Sequence, residues 1–576
     1  MYVDKVPNRN SKPTYLIRES KRNNGKTDKT TLANITKLPL ELIEQVRILL
    51  KGGFVYKNFQ ESIKIQSIQP HGHVCAIVET MKNLGLPELI DQRNTRFRRL
   101  ILGMMVHRLL KPYLQPRTEV YLDQQTAKTS INDLLDLKDV DEDDIHRAMN
   151  QLLKHKDRIE SDLAKRHIIE DGLVLCGMRD ISRVGEQNED PISLSKKGKK
   201  RAMIGLITDQ DGIPVGMDIV QGKSMDKDTL SRQLHHMTQS SGSTHLILVG
   251  DHKILNHKNL SDGGIPAGLD WMASLKKSNI RAVVEQENIH KNQLDQHDCL
   301  TLQSDLYPGE KLVIWINPNR STKNKKRKKR MVLTEKRLDS VIESIQRKKN
   351  CLIDKDDLIV QVYQVLITYN TEKFFHISID DRGLSYSRNH KALERADLVD
   401  RLCIIRTSRT DERGSDDLVA SFYRLSALEM ALSRITKMHL HSLHDIPKHL
   451  VRANIFLCTL AYYVEYHMRC KLAPLLYEEE VPTWKHPFRM RVSEAIESSV
   501  DLPHNGDSIH VPERIQAMSF EGVMEILEIT NRLLVLPKVC IDPKPEVMIP
   551  QELGTIQTLA FQFLEINIHS KTGGGG

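Results

Sequence analysis

The sequence predicts an α/β protein, α+β overall, in which a mixed sheet is flanked by helices. Three observations predict it. Between residues 171 and 275 four short apolar runs alternate with a hairpin signal and one helical stretch. Residues 61–170 carry apolar positions at helical spacing throughout. From 276 to 410 strand-like runs return, interrupted by a dense cationic stretch. The expected organisation is a basic, β-rich segment (1–60), a helical domain (61–170), the first part of a sheet core (171–275), a β-rich insertion with a basic helical arm (276–410), the second part of the core (411–470) and a C-terminal linker and tail (471–576).

Each element has its own justification. Thr14–Ile17 reads as a strand, and Leu38, Leu40, Ile43, Val46 and Leu50 recur at helical spacing. Pro70-His71-Gly72-His73 is a turn leading into a helix over Val74–Leu84. Arg96–Leu110 is a second helix, with Asn94 or Thr95 as its cap. Asp141-Glu142-Asp143-Asp144 precedes a helix running to His167. Four acids in a row resemble a metal cluster. Acids in a first turn, however, satisfy orphan N–H groups and complement the helix dipole, so capping is the reading. Leu173–Cys176, Met203–Thr208 and Pro214–Val220 are strands, the last two joined by an Asp211-Gly212 hairpin turn. Asp226–His235 is helical, and a short buried strand ends at Gly250-Asp251. Lys311–Ile316, Leu358–Ile367, Phe374–Ile379 and Leu402–Arg406 read as strands. Asp416–Ile435 reads as one helix, Ala453–Met468 as a buried helix and Gly522–Leu533 as one more helix, with a few weak elements in the tail.

Composition narrows the function classes. With 39% hydrophobic and 28% charged residues the chain is expected to pack rather than stay disordered. A net charge of +9 suits a polyanionic partner, whereas 5% aromatics make a base-stacking platform for single strands a poor fit. Eight scattered cysteines with no CxxC spacing exclude a zinc finger or a redox pair and point to a reducing, cytoplasmic setting. No signal-like apolar region opens the sequence, and Ala453–Met468 is short of the ~20 residues a membrane span needs, so no membrane partner is expected.

Candidate functional residues stand out on chemical grounds. An Asp at the exposed end of a buried strand is rigidly held yet reaches solvent. Asp251 is therefore either a metal-binding carboxylate or a cap for the following loop. On a wheel of ~100° per residue, Glu429 falls between Leu418 and Phe422, inside the apolar face of the 416–435 helix. A carboxylate facing a core needs a counter-charge or a cation; the alternative is a helix whose boundary or rotation differs. Two basic runs suit phosphate contact: Lys196, Lys197, Lys199, Lys200 and Arg201, and Lys325, Lys326, Arg327, Lys328, Lys329 and Arg330. His439, His441, His444 and His449 match no zinc-helix spacing and are read as surface or DNA-facing.

Several segments together carry a resemblance. They are Val6-Pro7-Asn8-Arg9-Asn10-Ser11, Tyr15-Leu16-Ile17-Arg18-Glu19-Ser20, Pro70–Val74, the Asp141–Asp144 entry, Ala164-Lys165-Arg166-His167, Gly212–Val215, Leu248–Asp251, Gly268–Trp271, Ile404–Ser408 and Ala453–Arg469. Over about residues 1–470 the chain resembles insertion-sequence transposases, whose RNase H-like DDE core is interrupted by a β-strand insertion. The resemblance implies a five-stranded mixed sheet as the core. It implies cleavage of double-stranded DNA at transposon ends and strand transfer into target DNA by a synaptic homodimer. Three carboxylates would hold two Mg²⁺ (or Mn²⁺) ions that activate the nucleophile and stabilise the leaving oxygen. Asp251 matches the second carboxylate and Glu429 the third. The first should follow Cys176 directly, where Gly177 stands; Asp180, three residues on, is the nearest acid and the third candidate ligand. Three residues along a strand amount to about 10 Å and a change of face, so only a local loop would bring Asp180 back. Two functions follow as expectations: an active DNA transposase, or a catalytically impaired DNA-binding derivative of one.

Overall fold

The computed structural model describes the chain except residues 9–11, 24–25, 53–62, 111–121, 123–127, 182–201, 222–226, 257–258, 261–264, 267, 291–292, 295–298, 317–321, 348–354, 381–382, 410–414, 441–449, 483–499, 505–506, 512–515, 538–546, 549–552 and 567–576. The described chain forms two compact units, one made of residues 1–71, 529–553 and 568–576 and the other of 72–528 and 554–567.

In the first unit β1 (Tyr2–Val6), β2 (Thr14–Asn23) and β3 (Lys26–Asn34) form an antiparallel sheet. Helix α1 (Leu40–Leu50) packs on it through Ile43, which meets Val3 and Tyr15 in a small apolar cluster. Strand β4 (Ile63–Pro70) pairs antiparallel with Asn531–Pro537, which also pairs with Val547–Met548.

The second unit begins with helices. Helix α2 (Gly72–Asn83) is buried over most of its length, and so is α3 (Arg96–Leu110), whose first turn is closed by the Arg98 N–H donating to Thr95 Oγ1 at 3.2 Å. Helix α4 (Glu142–His167) starts at Asp141, whose side chain accepts from the Asp144 N–H at 2.7 Å. The acidic quartet therefore caps a helix, as its position implied. Among the described residues no trio of His, Cys, Asp or Glu is arranged to hold a metal ion.

The sheet follows. Strands β5 (Leu173–Asp180), β6 (Ala202–Thr208) and β7 (Pro214–Gln221) run antiparallel to one another. The β6–β7 hairpin turns at Gly212, whose φ of +89° suits a residue without a Cβ. Helix α5 (Lys227–Ser241) crosses back, and β8 (Ile247–Gly250) and β9 (Asp270–Ser274) join parallel to β5. Strands β10 (Leu300–Leu302) and β11 (Lys311–Ile316) extend the same sheet. A long excursion leaves β11: the basic helix α6 (Thr322–Arg347), α7 (Lys355–Tyr369), the hairpin β12 (Phe375–Asp380) and β13 (Gly383–Arg388), and α8 (His390–Arg401). The chain returns as β14 (Leu402–Thr407), antiparallel to β11 with Ile316 opposite Leu402. The complete order is β10-β11-β14-β9-β8-β5-β6-β7, a mixed eight-stranded sheet. The described residues are thus α/β, with more strands in one sheet than the expected five.

Two helices then cover the sheet, α9 (Ser415–Tyr423) and α10 (Leu425–Leu440), followed by α11 (Val451–Lys471) and α12 (Phe520–Glu528). Helix α11 is buried on all sides between α3, α4, α10 and β7, as a helix apolar all round requires. None of the helices among the described residues is long and apolar enough to cross a membrane.

Three expectations change. Leu358–Ile367 lies in helix α7, not a strand: Leu358, Val362 and Leu366 form its buried stripe, with Ile359, Val360, Tyr363 and Ile367 on the outside. Residues 416–435 are two helices, broken at Arg424. The helix over 522–533 stops at Glu528, residues 531–537 form a strand, and a further helix, Thr555–Phe563, follows in the second unit.

Candidate functional site

The parallel pairing of β5 with β8 sets the geometry. Cys176 lies opposite Gly250, so Gly177, inside β5, stands level with Asp251, just past the end of β8. Val174, Cys176 and Met178 belong to the apolar cluster beneath α4 and α5. Alternation puts Leu175, Gly177 and Arg179 on the other face, where α10 packs.

Asp251 emerges from β8 as a half-buried carboxylate. Its Oδ1 accepts from the Lys253 N–H at 2.9 Å and the Ile254 N–H at 3.3 Å, and Lys253 Nζ lies 3.9 Å from Oδ2. Both sequence readings have a counterpart here. One oxygen caps the following turn, and the other faces out with a single long contact to a lysine.

Glu429 does not face the core. The break at Arg424 rotates α10 away from the wheel drawn through 416–435, so Leu418 and Phe422 do not share a helix with it. Within α10 the buried stripe is Ala427, Leu428, Ala431, Leu432, Ile435 and Met438. The Glu429 side chain is 63% exposed, and Arg179 Nη1 lies 3.9 Å from its Oε2. Its carboxyl sits above the ordinary glutamate range: desolvation pushes it up, Arg179 pulls it down, and the Asp251 charge adds a further upward push. At this exposure solvent screens most of that effect. The Asp251 charge is nevertheless felt at Glu429, so the two acids do share one end of the sheet, with Arg179 and Lys253 among them.

The first carboxylate position of the resemblance carries no acid. A Cβ at Gly177 would lie 2.6 Å from Leu428 Cδ2 and 3.1 Å from Leu432 Cδ1, so α10 approaches this strand more closely than a side chain allows. Asp180 is no substitute. Strand β5 runs regularly through it, with Asp180 opposite Met203 of β6, and no loop intervenes. By alternation it falls on the face of Cys176 and Met178, opposite the one that carries Arg179 and looks toward Glu429. Asp251 is therefore near enough to Glu429 for its charge to be felt there, whereas Asp180 falls on the opposite face of β5.

No protein-family model matches the chain, and no curated protein matches it.

The basic runs divide. Lys196, Lys197, Lys199, Lys200 and Arg201 lie outside the described residues, as do the side chains of Lys325 and Lys326 and residues His441, His444 and His449. Lys328, Lys329 and Arg330 are exposed on α6. Arg327 is buried: it pairs closely with Asp400, lies 3.3 Å from Asp397 and sits over the Phe374 ring at 5.7 Å. It fastens α6 to α8 and is not available to a phosphate.

Other ionisable groups were not legible as sites. Asp209, at the β6 end of the hairpin, accepts from the Ile213 and Asp211 N–H groups, and burial pushes its carboxyl up to about 6. Asp218 on β7 holds Arg452 at 2.9 Å and Arg232 at 3.7 Å beside a cavity of about 320 Å³ that also receives the Lys156–Glu160 pair. Arg469, fully buried, binds Glu465 at 2.6 Å and Glu480 more closely, and Arg434 joins the same acids. The i,i+4 spacing of Glu465 and Arg469 was the one available signal for this network.

Proposed function

We propose that the chain is a transposase-type, DNA-binding protein built on an RNase H-like core whose carboxylate site lacks its first ligand. One observation carries the reading. The five strands β5 to β9, consecutive in the chain, lie side by side as third, second, first, fourth and fifth, with the third antiparallel to the second, the second antiparallel to the first and the others parallel. An acid follows the fourth strand, and a second acid lies on a helix that follows a long excursion and packs on the first. The placing of these two acids supports the second and third carboxylates of the sequence resemblance, Asp251 and Glu429. The net charge of +9 and the exposed Lys328, Lys329 and Arg330 supply the electrostatics for a duplex.

The residues do not fit a pair of Mg²⁺ ions. Such a pair takes several oxygen ligands. Here Gly177 offers none and is roofed by Leu428, Asp180 faces away, and Glu429 has Arg179 beside it. We therefore assign no metal-dependent step to this chain, and DNA binding without cleavage is the function the geometry favours. Binding to both ends of an element by a homodimer inside the cytoplasm belongs to the same reading.

The test is duplex binding by anisotropy together with a cleavage and strand-transfer assay in Mg²⁺ and Mn²⁺. We expect binding that weakens linearly in log–log with salt, by about 0.9 per phosphate neutralised, no cleavage, and unchanged binding for Glu429→Ala. Metal-dependent cleavage abolished by both Asp251→Asn and Glu429→Ala would instead establish the active reading, which the proximity of those two acids favours. Absence of salt-sensitive binding would remove both.

A further inference from the structure

Arg108 is the most anomalous charge in the second unit. It lies near the C-terminal end of α3, is only 7% exposed, and has no carboxylate partner among the described residues. Its Nη1 is 3.4 Å from His107 Nδ1, its Nη2 donates to Asn454 Oδ1 at 3.3 Å, and the Cys458 thiol is its remaining neighbour. Its Nε is buried without any partner. A guanidinium carries five donors and cannot shed its charge in a protein. Taken out of water, it requires an anion or it destabilises the fold.

The space for an anion is there. Arg108 lines a cavity of about 430 Å³ enclosed by α2, α3, α10, α11 and α12. The charged groups facing it come from several elements. From α10 come Arg434 and Lys437, from α11 Glu465, and from α12 Glu521, Glu525 and Glu528; α2 adds His73. Arg434 and the buried Arg469 are shared among Glu465, Glu480 and Glu521, so that network has no positive charge to spare for an incoming anion. Outside it the lining sets Arg108 and Lys437 against Glu525 and Glu528. Two acids on α12 oppose a polyanion such as a nucleic-acid strand but leave room for one negative group at the Arg108 side. Leu109, Leu110, Met438 and Met524 give the rest of the lining an apolar character.

We propose that this cavity binds a single compact oxyanion, a carboxylate or one phosphate group, through Arg108 with Lys437 in support. The site lies apart from Asp251 and Glu429 and does not depend on the DNA-binding reading.

The test uses the full chain in thermal melts with sodium phosphate, sodium acetate or sodium chloride at matched ionic strength. One oxyanion, phosphate or acetate, should raise the midpoint by several degrees over chloride, in proportion to the logarithm of its concentration once saturation begins. Which salt acts identifies the class of anion. Arg108→Met removes the charge at similar volume. It should abolish the shift and be at least as stable as the parent in chloride. Should Arg108→Met not fold, calorimetric titration of the unmodified chain decides the matter, with Glu525→Gln expected to tighten binding. The proposal is overturned if neither oxyanion acts beyond chloride, if Arg108→Met shifts as much as the parent, or if titration gives no saturable heat.

Discussion

Gly177 is first of all a packing contact: its missing Cβ admits Leu428 and Leu432. On the proposed reading a carboxylate would belong there, but placing one is not a simple substitution. Gly177→Asp should lower stability by about 1–3 kcal/mol through overpacking alone, with more from burying the charge. Urea melts will show this, and Leu428→Ala in the same background should recover part of the loss, since the two sites touch. Within the basic helix, neighbours part company just as sharply. Arg327→Ala breaks a buried ion pair and should cost about 3–5 kcal/mol. Lys329→Ala, on the exposed side, should change stability by less than about 0.5 kcal/mol yet reduce the salt slope of DNA binding by about 1 where it meets a phosphate. Equilibrium unfolding and salt titration on the same pair of variants separate the two roles.

Elements differ in how plainly the residues announce them. Helix α4 was legible because its cap, its acidic first turn and its apolar period agree; Asp141→Ala should cost about 1 kcal/mol in a denaturant melt. Strands β5 to β8 were legible because short apolar runs are bounded by Gly, Asp and basic residues, whereas β9 (Asp270–Ser274), with a polar residue at each end and only three apolar ones between, was not read as a strand. Helix α7 was not, because Ile359, Val360, Val362, Tyr363, Val365 and Ile367 are β-formers, and an outer face this apolar hides the helical period. The break between α9 and α10 was also hidden. Neither glycine nor proline marks Arg424, which is held instead by long-range bonds to Asp211 Oδ1 at 3.0 Å and to the Gln210 carbonyl. No local signal encodes such a contact. That one error of rotation placed Glu429 inside a core when it lies at the surface. The strand-end position of Asp251 was read correctly, because an acid closing a short buried strand depends only on neighbours in sequence.

At the scale of the molecule, buried ionisable groups set the response to acid. His167 bonds Tyr463 at 3.1 Å and lies against His467, and burial holds both imidazoles at about 4 instead of the ordinary 6.5. Between those values an unfolded chain takes up protons that the folded one refuses, so stability falls as pH falls from about 6.5 toward 4. Asp209 acts in the opposite sense: its carboxyl, raised from 3.8 to about 6, binds its proton earlier in the folded state and opposes the loss over that range. Two histidines outweigh one aspartate, so thermal midpoints should drop on acidification, and Asp209→Asn should make the drop steeper. A midpoint that is flat across this range would refute the neutral histidines. The sheet also bears on how the chain tolerates change. Ile316 and Leu402 face each other at the mouth of the excursion between β11 and β14, although 85 residues separate them (317–401). Its two ends meet as the arms of a hairpin do, so closing that loop costs the core little beyond chain entropy, which grows only slowly with length. The part of the excursion before α8 should therefore tolerate exchange or insertion with the strands left in register, whereas α8 packs Val399 with Leu312, Ile314, Leu402 and Ile404 and has to stay.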